Sequence, residues 1–421
     1  MSGLFRIEDS LVNKISYYHI MLLMASLPFD MFYSHLILIS FALHTLIHLD
    51  KKNIKPVFTL RTLALQSVFF VTLLCIIYTT NTNQAFTEIG RRSIILIIPA
   101  LFCLNPLDIK KYRSQLLLLF ALVCTLTIVY LYIDALITIR HFHLPFSMLF
   151  SKFFANHNFS EPINIHATFF SMQVAISLVY LLSVLIKEKM FYNKFFYLGC
   201  CLVLTAGLIQ LSSKSVCFSL FIIINVAIPY FLLQGVMRRK FILVTASLSV
   251  LLITGILLSG TFRERYITEL TTDLSPAKAN EILDSRLSRW KVVLGLIEKK
   301  PLTGYGTGSE MALLHDGFFN NKLYNSFLNN LNAHNQYLSF LLKSGIIGLL
   351  IYIATLAFGF RIAFQQKDLL FIAFMAIITT VSFSENFLDV DKGIFFYAFF
   401  FPFFIFSNKQ ANVKFNPLKS P

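Results

Sequence analysis

Charge is what this sequence has least of. Asp, Glu, Lys and Arg make up 14% of its 421 residues, against roughly 25% in soluble globular proteins. Hydrophobic residues make up 56%, and mean hydropathy is +0.70. A soluble domain is excluded, and a chain threaded repeatedly through a bilayer is expected. Cysteine is also scarce. The six, Cys75, Cys103, Cys124, Cys200, Cys201 and Cys217, fall in apolar runs without metal-ligand spacing, so they read as small core hydrophobes, and no disulfide framework is implied. No cleavable leader is evident: the first residues mix Arg6 and Lys14 with Glu8 and Asp9, and the first apolar run leads straight into others. That run is expected to stay as an anchor. The short alternating segments of a membrane barrel are absent too, which leaves helices.

What is present in quantity is apolar length. A bilayer core about 30 Å thick takes roughly 20 apolar residues per helical span. Runs of that kind lie at 15–29, 31–49, 61–79, 93–104, 114–138, 166–186, 195–211, 216–234, 241–260, 336–360, 369–383 and 393–406. The fold class expected is therefore an all-α, polytopic membrane bundle of about twelve spans. The 93–104 run is short for a full crossing. With the N-terminus cytoplasmic, the loops on that side carry Lys51, Lys52 and Lys55; Lys110, Lys111 and Arg113; Lys187, Lys189 and Lys194; Arg238, Arg239 and Lys240; and the tail lysines Lys409, Lys414 and Lys419. That distribution obeys the positive-inside rule. The net charge of +15 is dispersed over these loops, so anionic lipid headgroups, and not nucleic acid, are the expected partner.

Three units follow: a bundle of about nine spans at 1–260, a long outer loop at 261–333, and a further three spans with a cytoplasmic tail at 334–421. The loop and its exit hold the most distinctive residues. Between Leu283 and Ile297, apolar residues recur at Leu287, Trp290 and Leu294, the spacing of an amphipathic helix lying on the membrane surface. Arg286 and Arg289 stand three apart and should project together from its polar side; interfacial anchoring is the plain alternative. Gly304, Gly306 and Gly308 follow. With no strand before them a nucleotide loop is a poor reading, and a tight turn that brings backbone close to the bundle or a ligand is a better one. Asn332 is placed to cap the next helix, which would put His334 in its first turn, followed by Asn335.

Further cations lie toward the outer face. Lys214, in LSSKSVCF, stands near the outer end of a span, where it either holds an anion or snorkels. Arg91 and Arg92 begin the 93–104 span and are explained by snorkelling. Glu385, Asp389 and Lys392, in FSENFLDVDKG, read as a solvated turn with internal pairing.

Taken in order, SSKS, SRLSRW with PLTGYGTG, and AHNQYLSFLLKSGIIGLL resemble the O-antigen ligase and polymerase superfamily of bacterial envelope glycosyltransferases, over roughly the second half of the chain. The resemblance implies a multi-pass inner-membrane enzyme with a periplasmic active site. Its donor would be an undecaprenyl-diphosphate-linked glycan and its acceptor, in ligases, the lipid A core oligosaccharide. It also implies that His334 and Arg289 are catalytic, with Lys214, Arg289 and Arg286 on the diphosphate and Gly304, Gly306 and Asn335 in support. Lys214 departs from the family's arginine: it keeps the charge but loses the bidentate fork.

A diphosphate leaves readily if its charge is stabilised, and His334 could take the acceptor hydroxyl's proton, which would invert the sugar. No Asp-x-Asp pair or His/Asp cluster lies in the outer loop, so neither a metal nor another cofactor is expected. Polymerases and protein O-oligosaccharyltransferases share this donor and differ in acceptor. A twelve-helix secondary transporter is the alternative from another class, but it should show two similar halves, and no internal repeat is visible.

Overall fold

The computed structural model describes residues 5–275 and 284–408. Among these the chain is helical, without strand. Each of the twelve expected apolar runs overlaps a helix, though several outrun it: the helix in 15–29 ends at Ser26 and that in 61–79 at Leu74. Six helices are long and apolar enough to cross a bilayer: Ile109–His141, Ala167–Lys187, Phe191–Leu211, Lys214–Leu232, Gly235–Leu258 and Gln336–Gln365. A seventh is added if Met31–Ile47 and Lys51–Phe58, bent by 119°, count as one span. Twelve full crossings are more than these lengths supply. The tail lysines and Leu283 lie outside the described residues.

Burial sorts the helices into centre and rim. Gly235–Leu258 buries Thr245 alone, and its apolar surface faces outward as a lipid-contacting helix would. Asp391–Phe406 is the opposite case. It runs FFYAFFFPFFIF, with Phe395, Phe396, Phe399, Phe400, Phe401, Phe403 and Phe404 all fully buried. Their rings interlock with Phe371 and Phe374 of Leu369–Val381, for example Phe374 with Phe404 at 5.6 Å. Each such ring pair adds roughly 0.5–1.5 kcal/mol beyond the area it hides.

The polar segment forms a second, smaller core. Val293 and Ile297 of Arg286–Ile297 pack with Leu314 and Phe318 of Glu310–Asn320, with Ala333, and with Leu342 of Gln336–Gln365. The surface helix is thus clamped onto the bundle.

The glycine-rich turn makes the join. Gln336–Gln365 is kinked at Gly345, whose φ is +62°, and the kink frees carbonyls one turn earlier. Tyr305 N donates to Leu342 O at 3.0 Å and Gly306 N to Lys343 O at 2.8 Å. Gly304 has φ +68°, and a Cβ there would lie 2.6 Å from Leu342 O, so glycine is required on both conformational and steric grounds. The expected close approach is to the bundle.

Candidate active site

A cavity of about 390 Å³ opens between the polar segment and the bundle. Lys214, Arg265, Glu269, Arg286, Trp290 and Glu385 are among its walls. Residues far apart in sequence converge there because three chain breaks meet. Phe191–Leu211 ends at Ser212, which is left-handed with φ +51°. Lys214 then starts the next helix, so it sits at a helix break and not within a span. Its ammonium lies 3.4 Å from Glu269 Oε2, and its side chain is 22% exposed.

The surface helix begins at Arg286, with Ser285 as its cap, accepting from Ser288 N at 3.2 Å. Arg286 reaches the cavity wall, donating to Ser384 O at 3.1 Å, with Nε 3.3 Å from Asp273 Oδ2. Arg289 departs from expectation. It does not share a solvated polar side with Arg286 but is buried, at 5% exposure, because it lies on the same face as Val293 and Ile297, four and eight residues on, which packs onto Glu310–Asn320 and Gln336–Gln365; Leu294 of the expected apolar stripe is instead 46% exposed. Among the described residues, its Nε and Nη1 have no hydrogen-bond partner. Burial, then the charge of Arg286, push its pKa down to about 10, against the pull of Asp273, Asp284 and Glu385. It stays a cation at neutral pH, held without a dedicated counterion.

The cap of Gln336–Gln365 also differs from expectation. Asn335 is the N-cap, accepting from Tyr337 N at 3.0 Å and Leu338 N at 3.2 Å. Asn332 instead accepts from His334 N at 2.9 Å, and His334 precedes the helix with φ +45°. The spacing Asn332–His334 suits an Asx turn as well as it suits a cap, and Asn335 takes the capping role because its side chain meets two free amides.

His334 Nδ1 lies 3.2 Å from Glu385 Oε2, whose side chain is only 14% exposed. Burial pulls the Glu385 pKa upward, but the His334 hydrogen bond and the charges of His334, His166 and Arg286 more than offset it, and the net shift is down. Glu385 is therefore an ionised cavity wall, not part of a solvated turn. Trp290, also on the wall, donates from Nε1 to Ala333 O at 2.9 Å, which ties the residue after Arg289 to the residue before His334. Neither Arg289 nor His334 is among the residues lining the cavity: His334 touches its wall at Glu385, and Arg289 is the chain neighbour of the wall residue Trp290. Close by, His157 and His166 meet at a tilt of 56° with centroids 4.0 Å apart, and burial pushes His166 down to about 4, against the pull of Glu385.

Not every expected residue belongs to this hollow. Gly304 and Gly306 brace the helix behind it, Gly306 against Thr79. Arg92 does not snorkel. It is 2% exposed within Thr82–Leu104, which starts eleven residues before the expected span, and it pairs with Asp389 while donating to Thr72 Oγ1 at 2.7 Å. Lys343 went unread in the sequence; it is also 2% exposed, 2.8 Å from Asp389 and 3.4 Å from Glu88. A lysine seven places into an apolar helix was the available signal, because such a charge needs partners. Among the described residues, no three His, Cys, Asp or Glu side chains gather as a metal-binding group.

The fold and cavity define a multi-pass helical membrane protein with a hollow lined by three cations and three carboxylates, and with His334 against one of those carboxylates, Glu385. Residues 195–353, which carry Lys214, Arg286, Arg289 and His334, match the family model described as O-antigen ligase. That stretch, well under half of the chain, is similar to the O-antigen ligase superfamily, a family of ligase- and polymerase-type enzymes. No curated protein matches the chain.

Proposed function

We propose that this protein transfers a glycan from undecaprenyl diphosphate to the lipid A core oligosaccharide, on the periplasmic side of a bacterial inner membrane. The observation that carries the reading is the convergence of Lys214, Arg286 and Glu385 on one cavity, with His334 held against Glu385 and the buried Arg289 within electrostatic reach of Arg286 and Glu385.

The chemistry needs two things. A charge must be stabilised as the diphosphate leaves, and a proton must be taken from the acceptor hydroxyl. With Nδ1–H donating to Glu385, the lone pair of His334 rests on Nε2. Nε2 takes the hydroxyl proton as the acceptor oxygen bonds to the anomeric carbon. The bond from that carbon to the phosphate oxygen breaks, and its electron pair leaves with undecaprenyl diphosphate. Attack from the face opposite the leaving group inverts the anomeric centre. Arg289, Arg286 and Lys214 meet the charge that develops on the diphosphate, Arg289 with Nε and Nη1 left without a hydrogen-bond partner among the described residues.

Purified protein supplied with undecaprenyl-diphosphate glycan and core acceptor tests this. His334→Ala and Arg289→Ala should insert normally and lose on the order of 10²-fold or more in transfer; near-normal transfer by either removes its role. Deletion of the gene separates acceptors: loss of all long surface chains with lipid-linked polymer accumulating marks a ligase, and a single repeat on the core marks a polymerase.

A further inference from the structure

His334 is a non-glycine residue in left-handed backbone, φ +45°, a conformation that persists only where the surroundings fix it. The amides on both sides of it are held, and both holds lead to one side chain. Ala333 N donates to Glu310 Oε1 at 3.3 Å. Asn335 N donates to Asn386 Oδ1 at 2.8 Å, and Asn386 Nδ2 in turn donates to the same Glu310 Oε1 at 2.7 Å. The other carboxyl oxygen accepts from Ser339 Oγ and lies 3.5 Å from Lys343 Nζ. Glu310 belongs to the polar segment, at the first position of Glu310–Asn320, yet is 3% exposed.

We propose that Glu310 is a positioning residue for His334: it fixes the strained backbone from both sides and so aims the imidazole at Glu385 and the cavity. This rests on the reading of His334 as the base. Glu310 closes a buried cluster in which Glu88, Glu310 and Asp389 face two cations, Arg92 and Lys343. Asp389, held by both cations and by Asn386 Nδ2 at 3.2 Å, is the main counterion. Glu310 is the carboxyl left over. Its burial raises its pKa, Lys343 opposes, and Asp389 and Glu88 reinforce the rise, which favours a neutral acid acting as hydrogen-bond acceptor at Oε1. An uncharged amide can keep that acceptor, so glutamine is the conservative replacement and alanine the disruptive one.

The test uses the full-length protein in detergent or nanodiscs, and its first readout does not depend on activity. Hydrogen exchange at the amides of residues 333–335 should speed up by at least about tenfold in Glu310→Ala and stay near wild type in Glu310→Gln. In the transfer assay Glu310→Ala should lower kcat by about 10²-fold, the scale of a misplaced catalytic group, with donor KM within about twofold; Glu310→Gln should recover most of that loss. Asn386→Ala breaks only the relay to Asn335, and its loss and that of Glu310→Ala should not add in the double variant. Should Glu310→Ala fail to fold, Asn386→Ala and Glu310→Gln carry the same comparison. Unchanged exchange at 333–335, or equal losses in the alanine and glutamine variants, overturns the proposal. If His334→Ala itself retains transfer, the functional reading has failed, and the exchange result still decides whether Glu310 fixes this backbone.

Discussion

His334 and Glu385 stand 51 residues apart in sequence, yet Nδ1 of one lies 3.2 Å from Oε2 of the other. One precedes the kinked Gln336–Gln365 helix and the other follows Leu369–Val381. The contact is therefore made by two helix ends meeting at the rim of the cavity, where it orients the ring and selects its tautomer.

That contact should be insensitive to mild acid. The Glu385 carboxyl is held below its ordinary 4.5, so the stability it contributes is fully present above that pH and is lost as pH falls through the lowered value. The difference in thermal stability between wild type and Glu385→Gln should stay constant from neutrality to about pH 4.5 and narrow below it. A difference that narrows already near pH 6 would show that the carboxyl is not held down. In transfer assays at neutral pH, Glu385→Ala should lose on the order of 10²-fold in kcat, the low end of what an oriented base supplies.

Arg289 should trade stability for function. A buried guanidinium pushed down to about 10 from 12.5 corresponds to on the order of 3 kcal/mol set against the folded state. Replacing an incompletely paired buried charge by an apolar side chain of similar length is often stabilising. Arg289→Met should therefore unfold at a higher temperature than wild type while losing transfer, and saturating donor should narrow the gap by stabilising wild type alone. A lower unfolding temperature for the variant would mean that the guanidinium is already satisfied.

Glu269 should compete with the donor. Its Oε2 pairs with both Lys214 and Arg265, so two cavity cations are engaged when no phosphate is bound. Glu269→Gln should tighten inhibition by inorganic pyrophosphate, by about tenfold if one charged hydrogen bond is released. Lys214→Ala should weaken it, whereas Lys214→Arg should preserve it. Weaker inhibition in Glu269→Gln would assign the carboxylate to scaffolding.

The helices were legible in the sequence because a bilayer demands apolar runs of set length, and every such run overlaps a helix. Which runs sit at the centre was not, since Asp391–Phe406 and Gly235–Leu258 are both greasy and only packing tells a core helix from a lipid-facing one. For the site, Arg289, His334 and Lys214 could be picked out as charges and an imidazole at apolar boundaries. Their surroundings could not. Arg289 reads as solvated on a helical wheel drawn with Leu287, Trp290 and Leu294 inward, whereas the face that packs inward is that of Arg289, Val293 and Ile297. Asn332 and Asn335 are equally good caps by type, and the chain chose between them by geometry. Glu310 and Lys343 lie 33 residues apart and find each other only once the polar segment has folded back over the bundle.

The break at Gly345 divides one continuous helix into two mechanical parts. The nine residues ahead of it follow directly on His334 and Asn335, and the twenty after it continue into the bundle. Segment 301–306 grips both sides of the break: Leu342 and Lys343 carbonyls accept from Tyr305 and Gly306 N, and Pro301 O accepts from Ile346 N at 2.9 Å. The kink is therefore splinted from outside, and the start of the helix that follows His334 is held at a fixed angle to the rest of it.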